Sequence, residues 1–243
     1  MKVGVITDIH NNVEALNAVL NELYALKVEK IICCGDIIGV GPRPEEIVKK
    51  IMLHQEQIEV VRGNHDNYLI NGLPISVPND EMMEYGEMEH HKWEHGRLSE
   101  ESISFIKTLP YSKSLKICGK TIYITHYSID KNNKYINHTL NPSLKALKTM
   151  FQNIEADIIV YGHDHIPLIN HDSNKWYINS GSLECPVNNK NFARAGIISV
   201  NEDNITYQEL NVHYDVEKVI EDIASLEYPE FDNVLKYFYG VLV

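Results

Sequence analysis

Arginine is scarce in this chain of 243 residues: only Arg43, Arg62, Arg97 and Arg194 are present, and the formal net charge is −12. A protein so acidic, with so few forked cations, is not built to hold extended nucleic acid by neutralising its backbone. A small phosphate compound held locally stays compatible with that charge, because bound metal cations reverse the local field. Cysteine is sparse as well. Cys33, Cys34, Cys118 and Cys185 include no Cys-x-x-Cys pair, and two are adjacent inside an apolar run, which fits buried reduced thiols in a cytosolic chain rather than a disulfide frame. No apolar stretch approaches a membrane span. Met1-Lys2 passes into Val3-Gly4-Val5-Ile6, too short a run for a signal peptide, so cytoplasm is the expected compartment. Repeats, low-complexity segments and a linker are also missing, so one domain over residues 1–243 is expected, and 44% hydrophobic residues suffice for a sizeable core.

What is present is an alternation of short apolar runs and amphipathic stretches. Residues 2–7 predict a buried strand, and Asn11-Asn12 caps a helix over about 13–26 whose Val13, Leu16, Val19, Leu20 and Leu23 recur at helical spacing. A strand over 30–35, a helix from Glu45 to about His54 and a strand over Ile58-Glu59-Val60-Val61 follow, and crossover handedness makes the three strands parallel. Residues of about 67–110 read as a helical insert: a loop marked by Gly72, Pro74 and Pro78, a helical stretch from Asp80 rich in Met, Glu and His, then a helix capped by Ser99. A hairpin is expected from Ser112–Ile117 and Lys120–Thr125. Asn141-Pro142-Ser143 opens a helix to about Asn153, Asp157–Tyr161 is another strand, and the runs 166–169, 175–178, 195–200 and 205–211 suggest a mostly antiparallel second sheet. The tail, about 214–243, reads as helical with a break at Pro229. Its apolar end, through Leu242 and Val243, is expected to pack on its own domain, with a homo-oligomer contact as the alternative.

Chemistry concentrates where the runs end. Lys30-Ile31-Ile32-Cys33-Cys34-Gly35-Asp36 delivers one carboxylate into a glycine-bounded turn, the place where parallel sheets hold ligands. Around Asp36 the sequence offers Asp8 and His10 after the first run, Asn64, His65 and Asp66 after Gly63, and His126, His163 and His165 further on. In extended backbone, side chains two apart face the same way, so Asp8 and His10 are expected to point together while Ile9 turns inward, and the same holds for His163 and His165. Carboxylate mixed with imidazole suits manganese, iron, cobalt, nickel or zinc. An ordinary turn accounts for Gly63, Asn64 and Asp66 but gives no place to His65. His90, His91 and His95 fall in Glu-rich helical sequence and read as a solvated face; His54, His171 and His213 read as surface residues, His138 as a capping or loop residue, and Trp93 as core.

The order Asp8-x-His10, Gly35-Asp36, Gly63-Asn64-His65-Asp66, Thr125-His126 and Gly162-His163-Asp164-His165 resembles the calcineurin-like metallophosphoesterase superfamily, in particular its compact bacterial and archaeal phosphodiesterase branch. The likeness runs from residue 3 to about 200. Weaker features agree: Gly39-Val40-Gly41-Pro42, Trp93, Leu98-Ser99-Glu100, Leu109-Pro110, Asn179-Ser180-Gly181-Ser182 and Arg194. Asp164, Ser180 and Val187 depart from the usual pattern, and Asp164 is expected to point away from the metals.

The resemblance implies a four-layer α/β/β/α sandwich of two mixed β-sheets flanked by helices. It implies two divalent metal ions, manganese first among the candidates, the first held by Asp8, His10, Asp36 and His165 and the second by Asp36, Asn64, His126 and His163. A hydroxide bridging them would attack phosphorus in a phosphodiester. His65, beside a ligand without needing to be one, is expected to protonate the leaving oxygen or stabilise the transition state, with Asp66 orienting its ring. Arg194 reads as either a phosphate contact or a strand ion-pair partner. Alternatives on the same centre are a phosphomonoesterase, a protein phosphatase or a dinucleoside polyphosphate hydrolase; an alternative of another kind is a non-catalytic scaffold of the same fold. The expected partner is a small phosphate-ester substrate, with no membrane and no extended nucleic acid.

Overall fold

The computed structural model describes residues 1–79, 81, 83–136, 138–186, 191–226 and 228–241. Three apolar runs become the parallel strands β1 (Lys2–Ile6), β2 (Lys30–Cys33) and β3 (Ile58–Val60), linked by α1 (Val13–Ala25) and α2 (Pro44–Leu53). Asn12 caps α1 by accepting a hydrogen bond from the Ala15 amide, as its position before the apolar stripe requires. Pro44 sits at the start of α2, where its missing N–H costs nothing. Between β3 and β4 (Ser112–Ile117) come α3 (Asn64–Asn71), α4 (Tyr85–His95) and α5 (Glu100–Thr108). The helix expected to start at Asp80 begins later, at Tyr85, and Asp80 itself lies outside the described residues.

The hairpin of β4 and β5 (Lys120–Thr125) forms with the expected bounds, and Cys118, at its tip, is exposed where the other three cysteines are buried. Next come α6 (Leu144–Met150), β6 (Ile158–Tyr161), β7 (Leu168–His171), β8 (Trp176–Asn179), β9 (Phe192–Val200), β10 (Ile205–His213), α7 (Val216–Leu226) and α8 (Phe231–Tyr239). The strands form two mixed five-stranded sheets, ordered β10-β9-β1-β2-β3 and β4-β5-β6-β8-β7. The late strands therefore do not make a sheet of their own. β9 and β10 complete the first sheet, β9 antiparallel to β1, while β8 joins the second parallel to β6. Alternation of apolar residues marks a strand but carries no record of which neighbour it pairs with, and that is where the sequence expectation failed.

Val3, Val5, Ile32, Cys34 and Val61 of one sheet meet Ile122, Ile124, Ile158, Val160 and Ile178 of the other in a dry layer. On the outer face of the first sheet, α1, α2 and α5 bury Leu16, Val19, Ile47, Ile51 and Ile106. On that of the second, Leu147 and Phe151 cover Ile159, Tyr161 and Tyr177. The tail helices pack on their own chain: Val219, Ile223, Tyr228, Val234, Leu235 and Tyr239 close around Val40, and the Tyr228 hydroxyl donates to the Val40 carbonyl at 2.8 Å. Leu242 and Val243 lie outside the described residues, among which no helix is long and apolar enough to cross a membrane.

Candidate metal centre

The three parallel strands of the first sheet end at one edge, and β5 and β6 of the second end facing it, so residues far apart in sequence leave their strands toward a common point. Asp8 and His10 follow β1, Asp36 follows β2, Asn64 opens α3 after β3, His126 follows β5, and His163 and His165 follow β6. The first two loops are zipped together: the Asp8 amide donates to the Gly35 carbonyl, those of Ile9 and His10 to Asp36, and that of Asn11 to Ile37. Convergence does not come from strand alternation, as the sequence suggested, because all these residues lie past the strand ends. It comes from left-handed backbone at Asp8, His10, Asp36, His163 and His165, with φ of 52°, 48°, 49°, 76° and 55°. Ile9 does turn inward, fully buried. Gly63 must lack a side chain, since a Cβ there would sit 2.0 Å from Asp36 Oδ1 and 2.5 Å from the Asp36 amide nitrogen.

The donor atoms meet in two groups that share Asp36. In one, His165 Nε2 is 3.0 Å from His10 Nε2 and 3.3 Å from Asp8 Oδ1, and His10 Nε2 is 3.9 Å from Asp36 Oδ2. In the other, His126 Nε2 lies 3.3 Å from Asp36 Oδ2, 2.9 Å from Asn64 Oδ1 and 3.2 Å from His163 Nδ1, which is itself 2.9 Å from Asn64 Oδ1. The other ring nitrogens fix the tautomers: His126 Nδ1 donates to the Cys34 carbonyl at 2.9 Å and His10 Nδ1 to that of Ile38 at 3.2 Å. Each Nε2 is then a lone pair aimed at other lone pairs, an arrangement that repels itself unless a cation or a proton stands between. The donor set fits metal.

Charge at the cluster says the same. Burial works against ionised Asp36 and Asp8, yet His126 holds Asp36 well below the usual carboxylate range and His165 brings Asp8 down to about 2. Burial alone would keep His126 and His165 neutral; Asp36 outweighs it to raise His126 to about 9, and Asp8 raises His165 well above its ordinary value. Burial wins at His10 and His163, lowered to about 4 and about 3. At neutral pH, protons on His126 and His165 occupy the places of cations, so metal uptake must expel them. Below about 9 the His126 proton is bound before uptake, so apparent affinity should fall about tenfold for each unit by which pH is lowered, per proton released. Calorimetric titration with a divalent ion in buffers of differing ionisation enthalpy reads that release directly, and affinity that stays flat from about pH 6 to about pH 8 would contradict it.

His65 borders the first group. Its ring meets that of His10 edge-on at 4.9 Å, its amide donates to Asp36 Oδ1 at 2.9 Å, and it offers a nitrogen within 4.8 Å of donors from His10 and Asp36. Asp66 does not orient that ring, contrary to expectation. Its Oδ1 accepts from the amides of Ile37 and Ile38, on the loop carrying Asp36, and its Oδ2 from that of Gly63 at the start of its own helix, so neither oxygen is left for the ring. Burial, with Asp36 nearby, pushes the Asp66 carboxyl up to about 7.

Arg194 lies in β9 against Gly181, and no contact among the described residues takes it to the ligand cluster. Asp164 pairs with His138, whose ring stands 4.9 Å from that of His163. The solvated-face reading of α4 is overturned. His90, His91 and Glu94 are buried, the His91 ring 5.0 Å from that of His65, and Glu94 accepts from the Asn11 side chain and the Gly39 amide. α4 has few apolar positions, so its buried face leaves no stripe to read, and a wall lined with imidazole and carboxylate is invisible to hydropathy. Trp93, read as core, packs on Tyr228.

Residues 1–203 match the calcineurin-like phosphoesterase superfamily domain. The chain is similar to an uncharacterized protein of Methanocaldococcus jannaschii, 29% identical over 94% of each chain. It is similar to the Escherichia coli phosphodiesterase YfcE at 24% identity over 76% of this chain and 81% of that one. A hypothetical protein of Pyrococcus horikoshii shares its fold, with a TM-score of 0.82 and 20% identity over 100% of this chain and 99% of that one.

Proposed function

This chain belongs to the calcineurin-like phosphoesterase superfamily, a hydrolase of phosphate esters, and from that premise we propose that it is a phosphodiesterase working with two divalent ions that share Asp36. The reading rests on one observation: Asp36 lies between two donor groups, Asp8, His10 and His165 on one side and Asn64, His126 and His163 on the other. Metal held by these residues would supply an acidified water and positive charge for the phosphate oxygens. One neutral ligand, Asn64, keeps the total negative charge low enough for an anionic substrate to enter.

The chain's own residues do the rest. The carbonyls of Cys34 and Ile38 hold the His126 and His10 rings, and the amide-bound Asp66 fixes the loop that presents Asp36. His65 stands beside the first donor group. Burial depresses its pKa well below the usual imidazole value, Asp36 opposing, so it acts as a neutral hydrogen-bond donor to the charge developing on the leaving oxygen and does not itself transfer a proton. YfcE is a phosphodiesterase by name, and its likeness across three quarters of this chain favours the diester over the monoester.

Stripping the protein of metal and restoring Mn²⁺, Ni²⁺, Zn²⁺ or Mg²⁺ separately tests the proposal on a nitrophenyl diester and the matching monoester. Manganese should restore the most hydrolysis, with the diester preferred. Activity on neither substrate with any of the ions would turn the reading toward a non-catalytic scaffold.

A further inference from the structure

Helix α4 assembles another set of donors one imidazole away from Asp36. His91, Glu94 and His95, spaced i, i+3 and i+4, each offer a ligand atom within 4.8 Å of the other two. His91 Nδ1 is 3.4 Å from Glu94 Oε2, close to the 3.3 Å that separates His126 from Asp36. Two donors held about 2.0–2.2 Å from one tetrahedral ion stand about 3.4 Å apart. His91 and Glu94 are wholly buried, and His95 Nε2 is buried with no hydrogen-bond partner. An orphaned imidazole nitrogen beside a sealed carboxylate is costly unless something binds it.

Neighbouring groups reinforce the need for a cation. Glu94 Oε1 takes the Asn11 side chain and the Gly39 amide, which leaves Oε2 toward His91, and Glu87 Oε1 stands 3.9 Å from His91 Nε2. Among the described residues no lysine or arginine pairs with Glu87 or Glu94; the nearby Lys92 binds Glu89 instead.

We infer that His91, Glu94 and His95 form an additional divalent-cation site, of the class with two imidazoles and one carboxylate that suits zinc, manganese, iron, cobalt or nickel. Successive ring centroids of 5.0 Å from His91 to His65 and 4.9 Å from His65 to His10 place it next to the Asp36 centre. An ion there sets positive charge beside the His91 ring that neighbours His65.

Metal counting tests this. The stripped chain is loaded with Zn²⁺, desalted and assayed by mass spectrometry for metal per chain, beside His95→Gln and Asp36→Asn. His95 is only half-buried, so its replacement leaves the core alone, and a melting curve checks the fold. His95→Gln should hold one equivalent fewer than the parent, and Asp36→Asn should keep that equivalent while losing others. With Co²⁺ in place of Zn²⁺, visible absorption should show the same missing equivalent in the His91→Gln, His95→Gln double variant. Equal metal content in the parent and His95→Gln overturns the site. Were the Asp36 centre to hold a single ion, both totals would drop together and the difference between them would persist, so the two readings fail separately.

Discussion

Asp36→Asn should release ions from both donor groups and abolish hydrolysis while leaving the fold intact. The substitution keeps the volume of a side chain that is 1% exposed and removes a carboxylate that both groups approach. Its amide would turn either an oxygen or an NH₂ toward His126, and neither balances charge. Loss of a ligand's outer hydrogen-bond partner typically weakens metal binding roughly 10–100-fold, so removal of the shared ligand should exceed that at both positions. His126, held near about 9 because Asp36 outweighs burial, should lose its elevated pKa in the same variant, visible by NMR titration of the metal-free chain. A variant that keeps its full metal complement, or hydrolyses at the parental rate, would show that Asp36 does not join the groups.

His65→Ala should behave in the opposite way, keeping the metal and losing turnover. The ring lies edge-on to His10 and follows Asn64 in the chain, and the proposed reading has it donate to a leaving oxygen. Removing a positioned hydrogen-bond donor to a developing oxyanion typically costs about 10²–10³-fold in rate, and a transition-state role requires that the loss fall on kcat with KM little changed. Equally informative is the leaving group. A nitrophenolate needs little help in departing, so the variant should lose less on an activated ester than on an alkyl ester. Metal loss in His65→Ala would instead make it a ligand, a role its nitrogen within 4.8 Å of donors from His10 and Asp36 leaves geometrically open.

The residues legible in the sequence were those whose position alone constrains them. Asp36 and Asn64 follow apolar runs that can only be buried strands, and the parallel order of β1, β2 and β3 was implied by the helices between them. The hairpin of β4 and β5 was readable from two alternating runs around Cys118-Gly119. What escaped was of two kinds. The partners of β7 through β10 are fixed by tertiary packing of faces that look alike in sequence. Glu94 is a buried polar residue whose partners, Asn11 and Gly39, come from two loops some eighty and fifty positions earlier, and buried His91 lies against the distant His65 ring, so no local pattern marks them. Asp66 was misassigned for a related reason: a carboxylate that ties down three amides looks in sequence like one that serves a histidine.

Left-handed backbone at Asp8, His10, Asp36, His163 and His165 has an evolutionary consequence. Such conformations cost an ordinary residue about 1–3 kcal/mol each, and only glycine adopts them freely. Selection for endurance alone would therefore drift these posts toward glycine, and every such drift would silence the protein. A descendant that had abandoned chemistry would betray itself there first, by growing sturdier as its imidazoles and carboxylates vanished.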